Sequence, residues 1–179
     1  MSRIPRANRD ELSVEHQKIW DHIHAARSGG GGPYSMLLHV PPLAGHLAAT
    51  EDYFRLDSGL PDADREVIIL AAARQLGAHY PWTRHEIRAH KANISGEVIE
   101  ALRTNAPLDR FSGRQKLLVE LTRTLLRDHR LSDELFARVE KELGRAQLIE
   151  AVGLLGHYFT IGLIVNAFEV QAPQGSKTF

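Results

Sequence analysis

The sequence predicts an all-α protein, a compact bundle of about seven or eight helices. Three observations lead there. Apolar residues recur every three or four positions in most segments, as Leu117, Leu118, Leu121 and Leu125 do. Serine or aspartate precedes these segments and glycine or asparagine follows several of them, which is the start and stop chemistry of helices. No stretch alternates apolar and polar residues between hairpin turns.

Residues 1–12 carry Pro5 and alternating charges with no stable period, so they are expected to wrap over the surface or reach a neighbouring subunit. Ser13 can cap a first helix running to about Ala26, with Val14, Ile19, Trp20 and Ile23 on its apolar side. It stops at Ser28 and four glycines, residues 29–32, which read as a flexible loop; no Lys and Ser or Thr follow them, as a phosphate loop requires. Residues 33–42 are apolar but broken by prolines, and a packed loop or short turn is expected. The next helix, 42–56, starts on proline and should turn Leu43, Leu47, Tyr53 and Phe54 inward.

Asp62 can cap a third helix whose centre, 67–73, is apolar on every side and therefore belongs in the core. Gly77 ends it, and Pro81 opens another running to about Asn93, with Trp82, His85, Ala89 and Ala92 on one arc and Arg84, Arg88 and Lys91 on the opposite, solvated one. Ser95 and Ser112 can cap two more helices, separated by a loop over 105–111. Ser132 starts another that Gly144 ends, and the last runs over about 145–170, where Gly153, Gly156 and Gly162 permit close helix packing. The tail from Gln171 is loose.

The length of 179 residues suits a single domain, 1–179. With 22 basic and 22 acidic residues there is no net field to gather nucleic acid, and none is expected as a partner. The longest apolar run, 151–165, is shorter than the roughly 18 to 20 residues that span a bilayer, so no membrane segment is expected. The charged amino terminus lacks the apolar core of a secretory signal, which makes a cytoplasmic location the default. The absence of cysteine removes disulfides, thiolate metal sites and thiol nucleophiles.

Chemistry concentrates in the stretch REVIILAAARQLGAHYPWTRH, residues 65–85. Glu66 lies in the first turn of a buried helix and His85 on the inner arc of the next. The helix dipole favours an ionised Glu66, and burial favours the neutral acid. A histidine beside it would be oriented by hydrogen bonding and could exchange a proton with substrate or water. On residue type alone the pair also reads as a capping carboxylate with a satisfied core histidine. His157, flanked by Tyr158 and two glycines, is a further inner-face candidate; His39 could line the same cavity, and Asn166 could satisfy a buried carbonyl. The run HEIRAH, 85–90, resembles a zinc helix but has one residue too many, since an i, i+5 pair diverges by about 140°. No metal or other cofactor is expected. Dinucleotide, phosphate-loop and GxSxG motifs are absent.

The order Leu60-Pro61, Arg65-Glu66, an alanine-rich helix, Gly77-Ala78, Tyr80, Trp82 and His85 resembles the carboxymuconolactone decarboxylase and alkylhydroperoxidase D superfamily. HKANISGEVIEALR at 90–103 is similar to the family's continuation, and the outer segments 37–47 and 156–168 resemble its longer members. The likeness implies an alkylhydroperoxidase D-like helical fold. In the peroxidase branch a Glu, a CxxC pair and a His form the centre; aligned here, Glu and His fall on Glu66 and His85, and the cysteines on Ala78 and Pro81, which excludes thiol peroxidase activity.

The resemblance therefore points to the cysteine-free branch, and to a cofactor-free lyase acting on a small carboxylated lactone or keto acid. Glu66 and His85 would be catalytic, while Tyr80, Trp82, His157 and His79 would bind substrate. Members of that branch often carry YEW where this chain has Tyr80-Pro81-Trp82, so Pro81 removes one acid or base, which His79 could replace. A carboxylate substrate would want an inward arginine, for which Arg65 and Arg74 are candidates. Lactone hydrolysis or isomerisation on the same scaffold is one alternative, and a non-catalytic oligomeric binding protein is another. The likeness also implies a homo-oligomer, trimer or hexamer, with a small-molecule substrate.

Overall fold

The computed structural model describes residues 2–27 and 31–179. Among these, eight α-helices and no strands are found: α1 (Val14–Ala26), α2 (Tyr34–Leu37), α3 (Pro41–Leu56), α4 (Asp62–Leu76), α5 (His79–Lys91), α6 (Gly96–Arg103), α7 (Gly113–Asp128) and α8 (Asp133–Ala167). Short 3-10 turns at Arg9–Glu11 and Leu108–Arg110 complete the regular structure. Gly29 and Gly30 of the glycine run, with Ser28, lie outside the described residues.

Helix α4 is the axis of the molecule. Its residues Val67, Ile68, Ile69, Leu70, Ala71, Ala72 and Ala73 are all buried, because α5, α6, α7 and α8 pack around it on every side. It ends at Gly77, whose φ of 65° closes the helix, and the Ala78 N–H returns to the Ala73 carbonyl at 2.8 Å. The chain reverses there into α5, so α4 and α5 form a hairpin. Helix α5 begins at His79 rather than Pro81, and Pro81 is accommodated in the first turn, where its missing N–H has no partner to lose.

Helix α8 contains the two helices expected from the sequence, joined across a kink at Gly144, whose backbone (φ 73°, ψ 165°) is not helical. By length and composition it could cross a membrane; in this fold half of its most apolar window is buried against the other helices. Gly162 allows α8 to approach α4, since a Cβ there would sit 2.7 Å from Leu76 Cδ1.

A second, smaller core joins α1, α2 and α3 through Ile23, Tyr34, Leu37, Leu38, Ala44 and Ala48, with Ile161 of α8 beneath them. Residues 33–42, expected as a packed loop or short turn, contain the fully buried single turn α2. The inward face of α3 differs from the expected one: Ala44, Ala48 and Phe54 are buried, whereas Leu43 is 47% and Tyr53 44% exposed. Small alanines let α3 lie close to α1, and Tyr53 projects to donate its hydroxyl to Glu150 at 2.6 Å. The amino-terminal segment lies on its own chain, through Arg3 N–H to Phe168 O and Ala7 N–H to Ser35 O. The seam between the two cores positions the site.

Candidate functional site

The α4–α5 hairpin brings Glu66 and His85 together in buried surroundings. His85 Nδ1 lies 2.7 Å from Glu66 Oε2. On the other side of the ring, Nε2 lies 2.9 Å from the Tyr158 hydroxyl of α8 and 3.5 Å from an Arg88 guanidinium nitrogen one helical turn along α5. Arginine can only donate, so Nε2 carries the lone pair and Nδ1 carries the proton that faces Glu66. The phenol of Tyr158 therefore donates to Nε2. The result is a buried chain of hydrogen bonds, Tyr158 to His85 to Glu66, drawn from three helices.

Burial, reinforced by the nearby Glu51 and Glu66 carboxylates, pushes the Tyr158 phenol well above its ordinary pKa. It is a phenol, not a phenolate, at neutral pH. The rings of His85 and Tyr158 meet edge to face at 5.0 Å, and those of Tyr158 and His157 do so at 5.3 Å, so Tyr158 touches both imidazoles.

The facing wall comes from α1, α2 and α3. Tyr34 donates to Glu51 Oε2 at 2.8 Å, and the buried Arg27 side chain spans Glu51 (3.4 Å), Asp52 (2.6 Å) and the Ala48 carbonyl (2.8 Å). Burial alone would raise the Glu51 carboxyl, but the Tyr34 hydroxyl and the Arg27 charge outweigh it and hold Glu51 below the ordinary carboxylate range. Burial lowers His157, with Glu51 opposing, so the imidazole is neutral. Neither ring nitrogen of His157 has a hydrogen-bond partner among the described residues.

Between these walls lies a cavity of about 170 Å³, lined among others by Tyr34, Glu51, Tyr80, Arg88, His157 and Tyr158. A second hollow of about 220 Å³ shares Glu51, Arg55, His85, Arg88 and Tyr158 and extends to Arg65 and Glu66. The hydrogen-bonded chain thus forms the partition between two spaces.

Of the residues singled out in the sequence, Glu66 and His85 meet directly, and Tyr80 and His157 line the cavity. Trp82 and His79 do not, which corrects their expected place in a substrate pocket. Trp82 is fully buried, donates Nε1 to Glu86 at 3.2 Å and lies under the Arg103 guanidinium. His79 stacks on Phe179 at 4.5 Å. Both face the carboxy-terminal segment, whereas His85 faces α8. His39 is exposed and bonds the Pro5 carbonyl at 3.0 Å, and Asn166 donates to Leu76 O at 2.7 Å, satisfying a backbone carbonyl.

Arg65 and Arg74 are both engaged, the first with Leu60 O and Asp62, the second with Arg103 O and the Phe179 ring. The arginines that line the cavity without a carboxylate partner among the described residues are Arg84 and Arg88, placed by the sequence on a solvated arc. Arg84 and Lys91 are exposed, as that arc predicts, whereas Arg88 is half-buried at the cavity. Tyr158, Tyr34 and Glu51 were likewise not assigned to the site from sequence; the aromatic and acid partners of a buried histidine are the signal that would point to them.

The helix order, the α4–α5 hairpin and the central apolar α4 define an alkylhydroperoxidase D-like fold. Two solved structures share it. One is an alkylhydroperoxidase AhpD core, an uncharacterized peroxidase-related protein from Ralstonia eutropha JMP134, with a TM-score of 0.77 and 15% identity over 97% of this chain and 93% of that one. The other is an uncharacterized peroxidase-related protein from Silicibacter sp. TM1040, with a TM-score of 0.76 and 13% identity over 97% of this chain and 92% of that one. At such identities the likeness is one of fold. No protein-family model and no curated protein matches the chain.

Proposed function

We propose that this protein is a cofactor-free acid–base enzyme, a carbon–carbon lyase that removes CO2 from a small carboxylated lactone or keto acid. The observation that carries this reading is the buried Tyr158–His85–Glu66 chain with its phenol end at a cavity. Loss of CO2 from a carbon beside a carbonyl leaves its electron pair delocalised onto the carbonyl oxygen as an enolate. Tyr158, kept protonated by burial, turns its single hydroxyl hydrogen from His85 Nε2 to that oxygen as the charge develops. One proton enters per turnover. It passes through His85, whose transient imidazolium is balanced by Glu66, and through Tyr158 to the carbon that lost CO2.

A second reading, isomerisation or lactone hydrolysis at the same chain, is favoured by Arg88. A carboxylate paired with it is stabilised in the ground state and resists leaving as CO2. Incubation with carboxylated lactones and β-keto acids in D2O separates the readings: CO2 release with one deuterium at the former carboxyl carbon supports the lyase, and deuterium exchange without CO2 supports the isomerase. Silence across the panel, or full activity in a folded Glu66→Gln or His85→Ala protein, would sink both.

We infer also that the chain assembles with copies of itself, as a trimer or hexamer. Ile149, Val152, Phe159 and Leu163 are exposed at spacings of three, seven and four residues along one side of α8, an apolar stripe a monomer would leave wet. Sedimentation at micromolar concentration checks this; a monomer alone would refute it.

A further inference from the structure

We propose that the cavity binds a ring-sized monocarboxylate bearing a hydroxyl remote from its carboxylate, with the carboxylate paired to Arg88 and the hydroxyl bonded to His157 and Glu51. This rests on reading the cavity as the substrate site of the acid–base chain, adds which class of molecule it selects and, by pairing the carboxylate with Arg88, favours isomerisation or hydrolysis there over loss of CO2.

Charge supplies the first argument. The whole chain is formally neutral, yet the cavity wall carries Arg27, Arg55, Arg84 and Arg88 against Glu51. Arg27 holds Glu51, Asp52 and a backbone carbonyl through Nε and Nη2, which leaves only Nη1 without a partner among the described residues, and Arg55 stands 4.0 Å from the same two carboxylates. Arg88 is half-buried, and its contact with His85 Nε2 uses one of its five N–H groups. A guanidinium so placed, without a carboxylate partner among the described residues, suits a bound carboxylate in a two-pronged pair.

The second argument is His157. Its ring is 6% exposed, it lines the cavity, and both of its nitrogens lack partners among the described residues. A neutral imidazole offers one donor and one acceptor, and leaving both buried and unpaired is costly. Glu51 presents a further acceptor at the same wall, since Oε1 has only Arg55 at 4.0 Å while Oε2 takes the Tyr34 hydroxyl. A hydroxyl, which both donates and accepts, is the small group that answers this set. A second carboxylate is disfavoured there, because Glu51 would repel it.

Size and spacing supply the third. The cavity of about 170 Å³ is close to the roughly 150 Å³ that holds a benzene molecule. Arg88 adjoins His85, and Tyr158 meets both His85 and His157 edge to face, so Arg88 and His157 stand on different neighbours of one ring. One ring of the ligand would lie over Tyr158, its carboxylate at one end and its hydroxyl at the other.

Calorimetric titration of the full-length protein with three probes tests the assignment: trans-4-hydroxycyclohexanecarboxylate, cyclohexanecarboxylate and cyclohexanol. The hydroxy acid should bind at least tenfold tighter than the plain acid, and the plain acid at least tenfold tighter than the alcohol. Arg88→Gln should weaken both acids at least tenfold and leave the alcohol unchanged, while Arg88→Lys should recover part of the loss. His157→Phe should bring the hydroxy acid down to the plain acid; His157→Asn, which keeps a donor and an acceptor, should retain part of the difference and serves if the phenylalanine protein fails to fold.

Equal binding of the three probes, indifference to Arg88→Gln, or no binding at millimolar concentration would overturn the proposal. Glu66→Gln separates it from the acid–base reading of the site. If that variant loses turnover and keeps the binding order, both stand. If the binding order holds and no substrate turns over in the wild type, only the acid–base reading fails. If turnover is found and the binding order is absent, only this proposal fails.

Discussion

The two walls of the cavity are built on opposite plans. On the α4, α5 and α8 side every polar atom of His85 is used, Nδ1 by Glu66 and Nε2 by Tyr158 and Arg88. On the α1, α2 and α3 side Arg27, Tyr34 and Glu51 bond to one another but Arg27 Nη1 has no partner among the described residues, and His157, which reaches the same cavity from α8, is left with two bare nitrogens. A closed chain holds its geometry whether or not a ligand is present, whereas an open one gains its missing bonds only from what enters. The first wall is suited to moving a proton and the second to choosing a molecule.

The largest effects should fall on the closed wall. His85→Ala interrupts the chain and Glu66→Gln removes the charge that balances an imidazolium; each should lower turnover by about 10²- to 10⁴-fold with the fold intact, as circular dichroism and kcat would show together. Loss of binding with kcat unchanged would move the proton-handling role elsewhere. Tyr158→Phe comes next. It leaves Nε2 with the long Arg88 contact alone, which should cost about 1–3 kcal/mol of stability and reduce kcat more than it raises KM. If KM alone changes, Tyr158 is a binding group rather than the terminal member of the chain.

A smaller effect is expected on the facing wall. Glu51→Gln keeps a Tyr34 acceptor, and Arg27 retains Asp52 and the Ala48 carbonyl, so the fold should survive with a loss of about 1.5–3 kcal/mol. The hydroxyl preference of the cavity should weaken and turnover of bound substrate should change little. A collapse of kcat comparable to that of Glu66→Gln would erase the contrast between the walls.

Much of this fold is legible in the sequence because its signals are local. Ser13, Ser95 and Ser132 each accept a backbone N–H at the start of the helix they were expected to cap, at 3.3, 3.4 and 3.2 Å. Ser112 precedes a helix with no such bond, so residue type marks the boundary there without the capping interaction. The meeting of Glu66 and His85 is legible because one short turn joins their helices. Tyr158 is 73 positions from His85 and reaches it only through tertiary packing. Glu51 precedes an aspartate on a partly exposed helix and looks like an ordinary surface acid until Tyr34 and Arg27 close over it. Trp82 shows the limit of a helical wheel: its burial follows from the inner arc of α5, but that arc is wide enough for its two edges to face different neighbours.

The smallest predicted effect concerns acid stability and divides the walls by pH. His157 in the folded protein lies below its ordinary value of 6.5 because burial penalises the imidazolium. The unfolded chain therefore takes up this proton first as pH falls, and stability declines from about pH 6.5 toward the lowered folded value. Glu51 is also lowered, but from 4.5, so its stabilisation is complete above that pH and is lost only in the more acidic range below it, as the folded value is passed. The two groups thus report in separate windows. Each unit by which His157 is lowered is worth about 1.4 kcal/mol at the acid end of its window. Thermal melts between pH 7.5 and 5 should show a decline in the wild type that is shallower in His157→Phe, while Glu51→Gln should alter the profile chiefly below its own window. Identical slopes for the wild type and His157→Phe would mean that His157 is already partnered when the cavity is empty, and the second wall would then be as closed as the first.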